Sequence, residues 1–313
     1  MDNLSQIEEF GNVLVRLGEK HRDLIVVDPD VSSSTKTLHF AEIFPDRFLN
    51  VGISEQDAVG IAAGLAASGK IPIVSGFSMF LVGRAWEQIA NSVARSNLNV
   101  KIVATHAGLS PYADGGSHQM LWDVALMRLL PNLKVIVPAD AVEASEALVA
   151  MIESKGPCYL RLGRSPIPVV YDECCSFQLG RAHLLRDGSD ATIVANGIMV
   201  SMALEAAEAL SLEGIDARVL DMHTVKPLDI SSLEKAAFET GALVTAEEHS
   251  IIGGLGGAVS EAISEFNPVP VKKIGIDDAF GESSRSYPKL LEKFGLSTRS
   301  IMDAIKTIVK ERK

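Results

Sequence analysis

The sequence predicts two layered α/β domains, each built around a mainly parallel β-sheet. Short β-branched segments alternate along the chain with longer segments whose apolar residues recur every three or four positions, and this alternation is typical of βα units. At ~150 residues per domain, the 313 residues can form two cores. Residues 166–190 contain two prolines and no clear periodicity, which predicts a linker between domains at 1–165 and 191–313.

The predicted elements follow in regular order. First-domain strands are expected at 24–28, 48–51, 71–74, 100–105, 134–137 and 158–162. The helices between them are expected at 5–21, 55–68, 83–94, 119–130 and 141–154. The second domain repeats the pattern, with strands at 191–195, 216–221, 242–246 and 269–276 and helices at 201–212, 231–240, 257–266 and 297–311. Ser5 and Glu8 have the spacing of a capping box at the first helix.

Charge and composition exclude several functional classes. The net charge of −11 argues against a nucleic-acid partner, because phosphate binding requires clustered Lys and Arg. Apolar residues come in short runs, far below the ~18 consecutive residues of a membrane span. The polar, acidic start predicts no signal peptide, and Cys158, Cys174 and Cys175 are too few for a disulfide framework. These features together predict a cytoplasmic enzyme with reduced thiols.

The candidate site lies where the first-domain strands end. In a parallel sheet, ligands bind at the carboxyl ends of the strands, where the loops converge. Carboxylates, imidazoles, arginines, hydroxyls and an aromatic pair follow the predicted strands at 28–34, 52–57, 75–80, 105–118 and 161–164. The opposite edge has no such set, so the sequence predicts an active-site rim at this edge.

Several long motifs in this region carry a family resemblance. They read RFLNVGISEQDAVGIAAGLAASG, GFSMFLVGRAWEQI, THAGLSPYADGGSHQ and ALMRLLPNLKVIVPADAVEA. The chain resembles the C-terminal half of transketolase, a pyrimidine-binding domain followed by the C-terminal domain, as in organisms that encode transketolase as two polypeptides. The resemblance covers nearly the whole chain. It implies thiamine diphosphate as cofactor and transfer of a two-carbon ketol unit from a ketose to an aldose.

The resemblance also implies which residues contact the cofactor. Glu55 matches the glutamate that hydrogen-bonds the pyrimidine ring nitrogen, a role that suits a buried carboxyl. Ile53, in the loop before Glu55, is expected to contact the same cofactor. Phe77 and Phe80 match positions that pack against the ring; Phe80 is the preferred stacking partner, and Phe77 also suits core packing. Two interpretations of Arg84 stay open: it lines the site, or it is a solvent-exposed charge on a helix.

Substrate-binding positions follow from the same resemblance. The matching residues are Asp30, Ser34, His106, Asp114, His118 and Arg164. His106, Ser34 and Arg164 match groups around the sugar phosphate, and Arg suits this role because its fork binds anionic oxygens bidentately. Asp114 and His118 match groups that contact the donor beside its carbonyl. Arg161 is expected on the other face of its strand. The expected catalytic residues are Glu55, His106 and His118.

A second subunit is implied by what the chain does not contain. The family holds the diphosphate through a Gly-Asp-Gly motif and a Mg²⁺ or Ca²⁺ ion with oxygen ligands, and no Gly-Asp-Gly occurs here. The expected partner is an N-terminal transketolase subunit that carries this domain and the metal ligands, in a dimer of heterodimers. This chain is expected to supply no metal ligand, and His183 and His223 are interpreted as structural.

Two features leave alternatives open. Tyr112-Ala113 replaces the Gly-Glu that transketolases commonly carry before the aspartate, so a branched or sulfonated ketose is an alternative substrate. The glycine-rich segment 253–257 could bind an anion before a helix, although a structural role is favoured. Other candidate functions are a deoxyxylulose-phosphate synthase, the β subunit of a 2-oxoacid dehydrogenase and a non-catalytic scaffold.

Overall fold

The computed structural model describes residues 3–171 and 176–312. The chain forms layered α/β units with mostly parallel sheets, as predicted. The elements up to residue 168 are β1 (Asn3–Leu4), α1 (Gln6–Lys20), β2 (Leu24–Asp28), α2 (Ser32–Thr35), α3 (Leu38–Ile43), β3 (Phe48–Asn50), α4 (Glu55–Ala67), β4 (Ile71–Phe77), α5 (Ser78–Gln88), β5 (Lys101–Thr105), α6 (Asp123–Arg128), β6 (Lys134–Ile136), α7 (Ala141–Glu153), β7 (Cys158–Arg161) and β8 (Ile167–Pro168).

The remaining elements lie after residue 176. They are β9 (His183–Arg186), β10 (Ala191–Ala195), α8 (Met199–Leu212), β11 (Ala217–Asp221), β12 (Thr224–Lys226), α9 (Ile230–Thr240), β13 (Leu243–Ser250), α10 (Leu255–Phe266), β14 (Val271–Ile276), α11 (Tyr287–Lys293) and α12 (Thr298–Arg312). In the described part of the chain, the longest helices have 15 residues, and none is long and apolar enough to span a membrane.

Two sheets organise the molecule. The seven-stranded sheet has the order β12-β6-β7-β5-β4-β2-β3, and the five-stranded sheet has the order β14-β13-β10-β11-β9. All neighbouring pairs are parallel except the edge pairs β12·β6 and β11·β9. The carboxyl ends of β2, β3, β4, β5 and β7 therefore lie along one edge of the larger sheet, where the sequence places the polar loops.

The first helix illustrates how the sequence fixes local structure. Apolar residues at helical spacing, including Ile7, Phe10 and Leu14, are buried against the sheet, which is the expected inner face of an amphipathic helix. The Ser5 hydroxyl accepts the Glu8 amide at 3.3 Å, so half of the predicted capping box is present. The Glu8 carboxylate pairs with Lys36 instead of completing the box.

Some predicted boundaries differ from the structure. The helix expected at 119–130 is only α6, because preceding backbone groups bond to other segments: the Gly108 amide donates to the Met120 carbonyl, and the Ser250 amide to that of Leu121. Strand β12 follows the second-domain strand β11 in sequence but joins the first sheet. Strand β9 lies within the predicted linker and pairs with β11.

Of the three cysteines, Cys158 lies among the described residues. Cys158 is a buried free thiol at the start of β7. The amino group of Lys101, on the neighbouring strand β5, lies 3.8 Å from its sulfur and donates to the carbonyls of Ser154 and Gly156. Burial lowers the pKa of Lys101 to about 8. Cys174 and Cys175 lie outside the described residues.

Candidate active site

A carboxylate begins the helix that follows β3. Glu55 is the first residue of α4 and is only 5% exposed. Both of its carboxylate oxygens accept from Nη1 of Arg84, on α5, at 3.0 Å. The Arg84 side chain is half exposed, so the pair joins a buried acid to a guanidinium that remains in contact with solvent. The sequence left open whether Arg84 lines the predicted site or is a solvated helix charge; its guanidinium contacts Glu55 and also remains half exposed.

An aromatic cluster lies between the carboxyl ends of β4 and β5. The rings of Phe77 and His106 stack with centroids 3.9 Å apart, and the ring of Phe80 is 6.0 Å from that of Phe77. His118 meets the Phe80 ring edge-on at 5.1 Å. The guanidinium of Arg84 covers Phe80 at 4.3 Å from the ring centre. Arg84 thus contacts both groups that the sequence assigns to the cofactor ring.

His106 begins the loop after β5 in a strained conformation. Its φ of 57° is in the left-handed region, which costs about 1 kcal/mol or more for a residue other than glycine and is common at functional sites. Its Nδ1 lies 3.0 Å from the Thr105 hydroxyl. Burial, assisted by the nearby Arg164 guanidinium, lowers the pKa of His106 to about 4. The imidazole is therefore neutral at physiological pH.

The same loop brings together the predicted substrate groups. Nη1 of Arg164 pairs with the Asp114 carboxylate at 2.6 Å, and both side chains are well exposed. The side chains of Arg164, Asp114 and His118 all lie close enough to influence the pKa of His106. Arg161, in contrast, is buried, so its charge is not available to a ligand. Four of the six predicted substrate residues therefore form one cluster.

The other two predicted substrate residues lie on the loop after β2. The buried carboxylate of Asp28 holds this loop, accepting from the Val31 amide at 2.7 Å and the Thr37 hydroxyl at 2.7 Å. Asp30 accepts from the Asn50 side chain at 2.9 Å, and Ser34 is exposed. Strands β4 and β5 separate β2 from β7. A ligand held by both Ser34 and Arg164 would have to reach across the ends of β4 and β5.

A buried carboxylate of the second unit holds the loop that follows β5. This contact was not predicted from the sequence. The buried Glu248 carboxylate accepts from the Leu109 amide at 2.7 Å and from the Tyr287 hydroxyl at 3.0 Å. Gly108 has a φ of 63°, and a Cβ there would lie 2.4 Å from this carboxyl. Burial raises the pKa of Glu248 to about 7. No local pattern around Glu248 reveals this contact, because its partners are more than 35 residues away.

A buried ion pair underlies the site. Oδ2 of Asp123, on α6, accepts from Nε of Arg161 at 2.8 Å, from the Tyr159 hydroxyl at 2.7 Å and from the Ser78 hydroxyl at 3.0 Å. Burial alone would raise the pKa of Asp123, but the Arg161 guanidinium and its other partners lower it. Arg161 also donates to the Glu248 carbonyl at 2.9 Å. Because Ser78 begins α5, this network fixes the helix that carries Phe80.

The glycine-rich segment of the second unit is occupied by the chain itself. Glu247 accepts from the amides of Leu255 and Gly256 at 2.7 and 2.8 Å, at the first turn of α10. A Cβ on Gly254 would lie 2.1 Å from the same carboxylate. This carboxylate occupies the helix N-terminus, where an anionic ligand would otherwise bind. The observation supports the predicted structural role of the segment 253–257.

Comparison with known protein families identifies this architecture. The family described as "Transketolase, pyrimidine binding domain" matches residues 3–169, and "Transketolase, C-terminal domain" matches residues 180–301. The chain belongs to the transketolase family. The transketolase pyrimidine-binding domain thus contains the whole edge described above, and the transketolase C-terminal domain contains Glu248. Thiamine diphosphate is the cofactor that this family implies.

Curated relatives of this transketolase chain match it over nearly its full length. A protein from Methanocaldococcus jannaschii, provisionally named a transketolase C-terminal section, is 46% identical over 95% of this chain and 93% of its own. The 6-deoxy-6-sulfo-D-fructose transketolase subunit SqwH of Clostridium sp. is 40% identical over 98% and 94%. An apulose-4-phosphate transketolase subunit of Phocaeicola vulgatus is 40% identical over 97% of both chains.

A solved structure agrees with the transketolase assignment. It is described as a split-gene transketolase, inactive β4 tetramer, and is 49% identical with a TM-score of 0.91 over 99% of both chains. The chain therefore corresponds to the C-terminal section of a split transketolase, and the family prediction is confirmed.

The burial of neutral His106 predicts a specific dependence of stability on pH. The unfolded chain accepts a proton on this imidazole near pH 6.5, whereas the folded chain resists it down to about pH 4. The free energy of unfolding therefore decreases as the pH falls from about 6.5 to about 4. Between pH 7 and pH 5, the wild-type chain should lose on the order of 2 kcal/mol more unfolding free energy than His106→Asn, measured by urea denaturation. Equal losses would contradict the prediction.

Proposed function

We propose that this chain supplies the pyrimidine-binding half of a two-subunit transketolase, which moves a two-carbon ketol unit from a ketose to an aldose. The observation that carries the proposal is the convergence at one sheet edge of a buried carboxylate, an aromatic pair and a polar loop. Glu55 begins the helix at this edge, and Phe80 and His106 follow the next two strands. A scaffold protein would have no use for this set.

The residues fit the pyrimidine end of thiamine diphosphate. When bound, this cofactor supplies the electron sink that cleavage of a carbon–carbon bond beside a carbonyl requires. Glu55 would share a proton with the ring nitrogen, Phe80 would offer its face, and Ile53, which is 76% exposed, would contact the ring or the partner. Arg84 must release Glu55 for this to occur, and its half-exposed guanidinium can return to water at small cost.

The substrate groups fit a ketose with an anionic tail. Arg164 offers its fork to the anion, while Asp114, His106 and His118 offer partners to hydroxyl and carbonyl oxygens. Beside them an open cleft of about 640 Å³ is lined by Tyr112, Ala113, Ser283, Ser284 and Arg285. Two similar subunits are named for sulfonated and apulose-derived sugars. These observations support a ketose with a modified tail as an alternative donor.

The partner that we propose is an N-terminal transketolase subunit, with Mg²⁺ or Ca²⁺ and the diphosphate held on its side. Its docking surface would include the exposed Ile53 in the loop before α4. It would also include α4 and α5, where a Cβ on Gly60, Gly64 or Gly83 would meet nothing within 4 Å. The similar split-gene structure is described as an inactive β4 tetramer, which supports the need for a second kind of subunit. We propose a dimer of heterodimers.

A donor screen tests this function. The chain is combined with a candidate N-terminal subunit from the same organism, thiamine diphosphate and Mg²⁺. Donors are a pentulose phosphate, 6-deoxy-6-sulfo-D-fructose, apulose 4-phosphate and pyruvate, each with an aldose phosphate acceptor. We expect at least one ketose to yield a product two carbons longer than the acceptor, without release of carbon dioxide. Carbon dioxide release from pyruvate with no ketose turnover would instead indicate a synthase or dehydrogenase subunit.

A further inference from the structure

A second cluster of polar side chains is buried where the two units meet. Glu143 is on α7 of the first unit, whereas His183 is on β9 and His223 follows β11 in the second. Oε1 of Glu143 lies 3.6 Å from Nδ1 of His183 and 3.9 Å from Nε2 of His223. All three atoms lie within 4.8 Å of one another. Three atoms with lone pairs therefore converge on one point.

Two of the three converging atoms are fully buried, whereas Nδ1 of His183 lies 2.8 Å from the Tyr171 hydroxyl. Glu143, His223 and the neighbouring Asp221 are 0% exposed. Among the described residues, Nε2 of His223 has no hydrogen-bond partner, and Oε1 of Glu143 and Oδ1 of Asp221 have none unless these two carboxyls share a proton. An unsatisfied buried polar atom costs about 1–3 kcal/mol, and several of them at one point require an explanation.

Contacts around the cluster already orient the side chains as ligands. Nε2 of His183 lies 3.2 Å from the Ser176 carbonyl; since a carbonyl only accepts, this nitrogen carries the proton and Nδ1 keeps a lone pair. Nδ1 lies 2.8 Å from the Tyr171 hydroxyl, and a metal ion would take the place of this contact while the hydroxyl keeps the Asp221 carboxylate, 2.7 Å away, as its acceptor. Nδ1 of His223 lies 2.9 Å from the Thr224 hydroxyl, and the second oxygen of Glu143 accepts from the Ala139 amide. Metal-binding histidines are typically held in this way through their other nitrogen.

We propose that Glu143, His183 and His223 form a site for a divalent transition-metal ion, with Zn²⁺ as the best match, at the junction of the two units. Two imidazoles and a carboxylate favour Zn²⁺ over Mg²⁺ or Ca²⁺, which prefer oxygen ligands. Tetrahedral Zn²⁺ separates its ligands by about 3.3 Å, so the distances of 3.6 and 3.9 Å from Glu143 to the two imidazoles need only a small contraction. The ion would join α7 to β9 and to the residues that follow β11.

The probe is Co²⁺, which gives a visible spectrum in a tetrahedral site, followed by displacement with Zn²⁺. The full-length chain is stripped with a chelator and titrated. We expect one ion per chain, a higher melting temperature, and at least about 100-fold weaker binding in His183→Ala. This variant should fold because His183 is partly exposed. Glu143→Gln tests the carboxylate, and His21→Ala, outside the cluster, is the matched control.

Cys174 and Cys175 offer thiolates, so each titration is repeated in the Cys174→Ser/Cys175→Ser chain. Retention of binding in this chain and its loss in His183→Ala support the site. Loss of binding through the cysteine changes alone would overturn the proposal, as would unchanged binding in His183→Ala. Failure of the wild-type chain to bind Co²⁺ or Zn²⁺ would also overturn it, leaving a proton shared between Glu143 and Asp221 as the occupant of the cluster.

Discussion

Replacing Glu55 with alanine is expected to lower turnover of the reconstituted enzyme by about 10²–10⁴-fold, the usual effect of removing a positioned proton-transfer group. The carboxylate is buried, and among the described residues its charged partner is Arg84, which also covers the Phe80 ring. Because Arg84 remains half exposed, the substitution leaves no buried charge and should not prevent folding. Steady-state rates and size-exclusion chromatography of the complex would be measured together.

Two further variants make this experiment specific. Glu208→Ala removes the same charge from an exposed position on α8, outside the proposed docking surface, and should retain near-normal turnover. Glu55→Gln retains a hydrogen-bonding side chain but cannot share a proton in the same way, so its rate should also fall. Near-normal turnover of Glu55→Ala in an intact complex would remove Glu55 from the mechanism.

Replacing Asp123 with alanine should destabilise the chain more than any surface change, by about 3–5 kcal/mol. The substitution leaves the buried Arg161 guanidinium without its closest carboxylate and removes the acceptor of the Tyr159 and Ser78 hydroxyls. Glu248 lies 3.9 Å from Arg161 and can compensate only in part. The free energy of unfolding from urea titrations would measure the effect.

The double variant Asp123→Ala/Arg161→Leu separates charge from packing. Removing the guanidinium as well should recover part of the lost stability, because no unpaired charge then remains buried. As a control, Glu9→Ala breaks the exposed pair with Arg16 and should cost below about 1 kcal/mol. A loss for Asp123→Ala no larger than that of the control would show that the network does not anchor the site.

Local patterns were sufficient for most of the fold. Strands β2 and β10 begin and end where the alternation predicts, and α4 begins at Glu55 as expected. These segments are specified by their own apolar spacing and by parallel pairing. The positions of His106, Asp114, His118 and Arg164 also followed from the sequence, since the ends of parallel strands meet at one edge and the motifs are long.

Contacts between distant segments could not be predicted in this way. Strand β12 joins the first sheet although it follows β11, and nothing in its three residues indicates the partner. Glu248 binds Leu109 across 139 positions of sequence. The contact of Arg84 with Glu55 depends on how α4 packs against α5. In each case the deciding energy comes from tertiary packing, which local propensity does not contain.

We propose that this chain carries half of an active site and requires a second subunit to complete it. The direct measurement is ketol transfer as a candidate N-terminal subunit is titrated into a fixed amount of this chain, with thiamine diphosphate and Mg²⁺ in excess. We predict no turnover by either chain alone and a linear rise that ends at one partner per chain. Full turnover by this chain without a partner would contradict the account.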